Sequence, residues 1–156
     1  MKNFLFLILS AFYFSLLFLI ISCQPIEKGP TISHYVSENT NKMNLPFSDA
    51  VMVDNMIYLS GQLGNIPGSF KLVEGGIRAE TIQTMENIKS VLNANGATMN
   101  DIIKCQVFIE DINEWGIFNE EYVKFFSGKK PARSALGANG LALGARVEVE
   151  CVACKK

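Results

Sequence analysis

Histidine is nearly absent from this chain: His34 is the only one in 156 residues. It stands in a polar N-terminal stretch, so the rest of the sequence cannot assemble a Ser-His nucleophile, and a zinc site lacks its usual nitrogen ligands. A strong charge of either sign is also missing, with 14 Lys and Arg against 15 Asp and Glu. One Trp and no basic aromatic stretch accompany that balance, which argues against a nucleic-acid partner. Cysteine is sparse too, at Cys23, Cys105, Cys151 and Cys154. The last two have redox-motif spacing, but an offset of three along a strand points them to opposite faces. They read, with Cys105, as small buried hydrophobes plus one near the terminus.

One long apolar run is present, from Phe4 to Ile21, behind Lys2. A stretch of about 18 apolar residues suits either a membrane anchor helix or the core of an export signal. The exit, Leu19-Ile20-Ile21-Ser22-Cys23, resembles a bacterial lipobox, which makes Cys23 the expected site of lipidation. Residues 1–22 are therefore expected to be a signal peptide, and 23–42 a lipidated cysteine followed by a flexible polar tether. The alternative is an uncleaved signal anchor, and on either reading the protein is exported and held at the cell-envelope membrane. Cleavage before Cys23 removes Lys2 and leaves 13 basic residues against 15 acidic ones. Residues 43–156 then form one compact domain, small enough to gain from self-association.

Within that domain, Ala50–Val53 and Met56–Ser60 flank Asp54-Asn55 and predict an opening β-hairpin. Ile82, Met85, Ile88, Val91 and Leu92 recur at helical spacing between Arg78 and Asn95, with Gly96 in a capping position and Glu80, Gln83, Glu86, Lys89 and Asn93 on the wetter side. Alternation through Ile103, Cys105, Val107 and Ile109 predicts a half-buried strand. Asp111 with Glu114 suggests a capping box for a second helix running to about Phe126, with Trp115, Phe118, Tyr122 and Phe125 on its apolar side. Two final strands follow, at about 133–138 and 145–153, and Asn139-Gly140 suggests that they pair as a hairpin. The order ββ-α-β-α-ββ predicts an α+β protomer whose sheet is covered on one face by two helices. Val147, Val149, Cys151 and Ala153 would meet the helices, leaving Arg146, Glu148 and Glu150 on the other face.

Five segments, Leu45-Pro46-Phe47-Ser48, Tyr58-Leu59-Ser60-Gly61-Gln62, Thr84-Met85-Glu86-Asn87-Ile88, Pro131-Ala132-Arg133-Ser134 and Val147-Glu148-Val149-Glu150, resemble in order and spacing the Rid (YjgF-type) family of enamine and imine deaminases. The resemblance spans about residues 45–153. It implies a chorismate-mutase-like protomer with a mixed sheet, a homotrimer with ligand clefts between subunits, and hydrolysis of 2-imino or 2-enamino acids to 2-oxo acids and ammonia. No cofactor and no metal are implied. Carried over residue by residue, Arg133 would bind the substrate carboxylate and Glu148 would position or activate water. Gly61 and Ala135 would line the cleft through their backbones, with Asn119 and Tyr122 nearby. Phe47 stands where many members have tyrosine, and Lys130 where an aromatic is common, so the substrate range is expected to differ.

The residues themselves are compatible with that chemistry. An arginine offers a planar two-bond fork to a carboxylate, and an imine is electrophilic enough that positioning supplies much of the rate. If the last two strands pair, Arg133 lies beside Glu148 or Glu150, and a neighbouring guanidinium would keep Glu148 ionised. An arginine at the start of an edge strand is, on its own, equally a solvated surface group. Two other functions remain open: a non-catalytic trimer that binds small carboxylates, and an RNA-cleaving protein of the same fold.

Overall fold

A computed structural model of the protein describes residues 29–156. The expected signal and the Cys23 lipidation site lie outside the described residues.

The chain alternates as the sequence predicts and builds one mixed sheet. Its strands are β1 (Ile32–Tyr35), β2 (Ala50–Val53), β3 (Met56–Leu59), β4 (Gln62–Leu63), β5 (Ile102–Ile109), β6 (Ala132–Gly137) and β7 (Val147–Cys154). The helices are α1 (Glu38–Lys42), α2 (Gly76–Ala94) and α3 (Trp115–Tyr122). Sheet order is β1-β2-β3-β7-β5-β6, with β4 paired to β7. The opening hairpin forms as expected: Val53 pairs with Met56, and Asp54 takes φ +53°, the left-handed conformation that Asp tolerates in a two-residue turn. Gly96 closes α2 with φ +70°, which lets Ala97 N–H donate back to Leu92 O at 2.9 Å.

The core lies between the two longer helices and one face of the sheet. Met85, Ile88 and Leu92 of α2, Phe118 and Tyr122 of α3, and Val107, Val147, Val149 and Cys151 of the sheet are all buried in it. Each large apolar side chain so enclosed contributes about 1.5–3 kcal/mol relative to exposure. The opposite face carries Tyr58, Lys104, Gln106, Glu148 and Glu150, in register with one another across β3, β7 and β5. The alternation of β7 is thus as expected.

Several expectations are corrected. The final strands are not a hairpin. β6 runs parallel to β5, and parallel neighbours need a crossover, which the α3 segment provides by carrying the chain over the sheet to the outer side of β5. β7 then returns between β3 and β5, antiparallel to both. Residues 31–42, assigned to the flexible tether, are folded: β1 pairs with β2 along its whole length, and Ser37 caps α1 by accepting from Thr40 N–H. Thr40 is buried and donates to Asp49 Oδ1 at 2.7 Å, which anchors this segment to the start of β2.

Within α2, Glu80 and Ile82 exchange their expected roles. Glu80 is buried because its carboxylate accepts the Arg146 N–H at 2.8 Å, whereas Ile82 stays exposed. A bulge between Ile102 and Lys104 turns Ile102 inward and Ile103 outward. The expected capping box is also different. Asp111 accepts from Asn113 N–H, and Glu114 reaches instead to Arg146 Nε at 2.8 Å.

Candidate active site

Topology separates the two residues expected to act together. Arg133 pairs with Cys105 on β5, whereas Glu148 pairs with Phe108, whose own β6 partner is Leu136. With β5 between them, the two backbones are two strands apart, about 10 Å across and about 10 Å along the sheet. Their side chains also leave opposite faces. Arg133 sits on the face of buried Cys105, against α3, and Glu148 sits on the helix-free face. Within one protomer, Arg133 and Glu148 therefore cannot grip one small molecule, and no guanidinium stabilises Glu148.

Arg133 is held by rings. Its guanidinium carbon lies 4.8 Å from the centroid of Tyr122, 5.5 Å from Phe118 and 5.8 Å from Trp115. These three residues recur at helical spacing on α3, so a single helix face presents them as a shelf. Each cation–π contact is worth about 0.5–1 kcal/mol at an accessible site, and it leaves the N–H fork unspent. Among the described residues, Arg133 makes no ion pair and no side-chain hydrogen bond. By contrast, Arg78 is committed to Glu120 and Glu121, and Arg146 to Glu114. Ala135, two residues along β6, lies partly buried on the same side as Arg133, and Asn119 is half-buried on α3. Tyr122 closes the group; burial pushes its phenol pKa up, and its hydroxyl has no hydrogen-bond partner in the structure, with the Cys105 thiol beside it.

Glu148 belongs to a second group. A β-carbon at Gly61 would fall on the Glu148 carboxylate, so any larger residue would force that carboxylate to swing aside. The Glu148 carboxyl is held above the usual carboxylate range, first by burial and then by the negative charge of Glu150. This reverses the sequence expectation, which assumed a neighbouring cation. A half-buried acid with a raised pKa holds a proton more tightly than an ordinary glutamate, which suits it to taking and returning one. Gly61 also borders a cleft of about 280 Å³, whose walls include Phe47, Tyr35, Leu45, Phe70 and Leu143. Phe47 thus shares a cavity with Gly61 and presents a half-exposed apolar ring there.

The sequence-predicted residues therefore fall into two sets: Arg133, Ala135, Asn119 and Tyr122 at the α3 side, and Phe47, Gly61 and Glu148 at the end of β3. Trp115 and Phe118 were expected only as core residues, and their contact with Arg133 could not be foreseen without knowing that β6 docks beside α3. Glu150 was expected on the same helix-free face as Glu148, and its influence on Glu148 follows from their separation by one residue there.

A family model for the endoribonuclease L-PSP proteins matches residues 38–155. The chain belongs to that family, the Rid or YjgF-type proteins. It is 43% identical over 108 residues to the mouse 2-iminobutanoate/2-iminopropanoate deaminase, covering 69% of this chain and 80% of that protein. Among solved structures, it resembles the yeast protein YEO7 with a TM-score of 0.75 and 36% identity, over 81% of this chain and 100% of that one. It also resembles TdcF of E. coli, solved with bound serine, with a TM-score of 0.68 and 29% identity over 71% of this chain and 89% of that one. Its protomer is accordingly the YjgF-type mixed sheet with helices on one face.

Proposed function

We propose that this Rid-family chain hydrolyses small 2-imino acids to 2-oxo acids and ammonia, in sites that form where the Arg133 shelf of one subunit meets the Glu148 group of the next in a homotrimer. The observation that carries this reading is an arginine held on three rings with no counter-charge. A guanidinium left so exposed to an anion, beside a buried unpartnered hydroxyl, suits a carboxylate ligand better than a surface charge. The naming of the mouse relative and the serine bound to TdcF agree with a small amino-acid-like ligand.

In this mechanism Arg133 holds the carboxylate bidentately and so fixes the imine carbon. Glu148, its carboxyl close to half-protonated at a higher pH than an ordinary glutamate, takes a proton from the attacking water. It then returns that proton to the nitrogen as the carbinolamine collapses and ammonia departs. The backbone at Gly61 borders the reacting carbon, and the Phe47 ring closes one wall without adding a hydroxyl. For location, we propose attachment at the cell envelope through Cys23, a reading that rests on the N-terminal sequence alone.

Subunit mixing tests the site. Arg133→Ala and Glu148→Gln should each be slower than wild type by at least about 10-fold when alone. Mixed in equal amounts and allowed to reassemble, they should recover about a quarter of wild-type activity, the random fraction of interfaces that pair an intact Arg133 with an intact Glu148. No recovery in verified mixed trimers would refute a shared site. A monomer in light scattering would refute the assembly itself.

A further inference from the structure

Cys105 and Cys151 are directly opposite each other on the two central strands, β5 and β7. Both are free thiols, and both are buried on the helix-covered side of the sheet. Their position in the ladder decides how close they come. Glu110 N–H donates to Arg146 O at 2.9 Å just beyond the strand ends, which makes Glu110/Arg146 a hydrogen-bonded pair. Antiparallel pairs alternate, so Phe108/Glu148 and Gln106/Glu150 are bonded pairs, whereas Ile109/Val147, Val107/Val149 and Cys105/Cys151 are non-bonded. Non-bonded pairs hold their α-carbons about 4.5 Å apart, with side chains at their closest. That separation falls inside the range of about 4.4–6.8 Å that a disulfide spans.

We propose that Cys105 and Cys151 are a cross-strand modification site that closes to a disulfide when the protein meets a small disulfide oxidant. The proposal stands whether or not the carboxylate-binding reading holds. Cys154, three residues on, takes no part: it lies on the other face, where Asn55 Nδ2 approaches its sulfur at 3.4 Å.

The step balances with an oxidant such as oxidised glutathione. Cys105 is the attacking thiol. It pairs across the ladder with Arg133, whose nearby guanidinium favours a thiolate there. The Cys105 thiolate attacks one sulfur of the oxidant and expels a glutathione thiolate. Cys151, losing its proton as it attacks, then displaces the second. Two protein S–H bonds are lost, one S–S bond forms and one breaks, and the oxidant leaves as two thiols. Both sulfurs are enclosed beneath the helix layer, so exchange requires a local opening of that layer, and its rate follows that opening.

The test is thiol mapping on the full chain, incubated folded with oxidised glutathione, then alkylated in denaturant, digested and weighed. A linked peptide pair containing Cys105 and Cys151, released by reductant, is expected. Cys154→Ala should leave its yield unchanged, and Cys105→Ala and Cys151→Ala should each remove it. Full alkylation of both residues overturns the proposal, as does a link that uses Cys154 or a glutathione adduct that never resolves. Because the wild-type map alone decides between these results, misfolding of a variant does not obscure the answer.

Discussion

Arg133 and Glu148 carry opposite charges on strands of one sheet, and the protein keeps each of them available in a different way. Arg133 is placed on the helix side, where three aromatic faces steady the guanidinium without consuming its donors. Glu148 is placed on the helix-free side, where a glycine admits it to a confined position and a second carboxylate raises its proton affinity. A salt bridge between them would have neutralised both groups. Separating them by β5 prevents that pairing inside a protomer and leaves each free to act on a third molecule.

Removing the cation should have the largest effect on this arrangement. Arg133→Ala is expected to lower kcat/KM for imine hydrolysis by roughly 30- to 150-fold, since one charge-assisted hydrogen-bonded pair is worth about 2–3 kcal/mol. Arg133→Lys should restore little, because a point ammonium lacks the planar fork. Steady-state assays on 2-iminobutanoate generated in situ measure both. Near wild-type rates would mean that the shelf only stores a surface arginine.

Crowding the acid should come next. Gly61→Ala forces the Glu148 carboxylate aside and is expected to slow kcat by about 10- to 100-fold, at or below the lower end of what a general base contributes, because imines also hydrolyse unaided. Glu148→Gln should match it while leaving 2-oxobutanoate binding nearly intact, as calorimetry would show. If Gly61→Ala weakens binding instead of turnover, the two groups do not have separate tasks.

Trimming the shelf should cost less. Trp115→Ala removes the outermost of the three rings and is expected to raise KM by about 2- to 5-fold, equivalent to about 0.5–1 kcal/mol, with kcat unchanged. The smallest effect concerns pH. Glu148 must be deprotonated to accept a proton, so the rate should fall as pH drops through its raised pKa. Glu150→Gln removes a negative neighbour and lowers that pKa, so the acid limb of the kcat profile should move to lower pH. A limb that does not move, or moves upward, would remove Glu148 as the titrating group.

The elements themselves were legible because their signals are local: the period of α2, the Asp54-Asn55 turn and the alternation of β7 each lie within a short window. Membership of the family was legible for a related reason, as five short segments recur in order. The candidate site residues could be named from the sequence, but their arrangement could not. Neighbouring strands in sequence suggested a hairpin, and only the parallel docking of β6 on β5 reveals that Arg133 and Glu148 face away from each other. Glu80 and Ile82 misled for a similar reason, because a buried carboxylate is explained by a backbone N–H 66 residues away at Arg146. The folding of residues 31–42 was hidden by their polar composition, since their hold on the domain comes from main-chain pairing and from Thr40 with Asp49.

The last strand in chain order occupies the middle of the sheet, and this has a consequence for biosynthesis. Until residues 147–154 leave the ribosome, β3 and β5 have no common neighbour, and the nascent protein consists of two partial sheets with unsatisfied edges. Completion of the fold is thus delayed until β7 has been made, and the pairing of β5 with β7 closes loops about 40 to 50 residues long, which slows assembly relative to a fold built from local contacts. During that interval the exposed inner edges of β3 and β5 are the surfaces at which two unfinished chains would join wrongly.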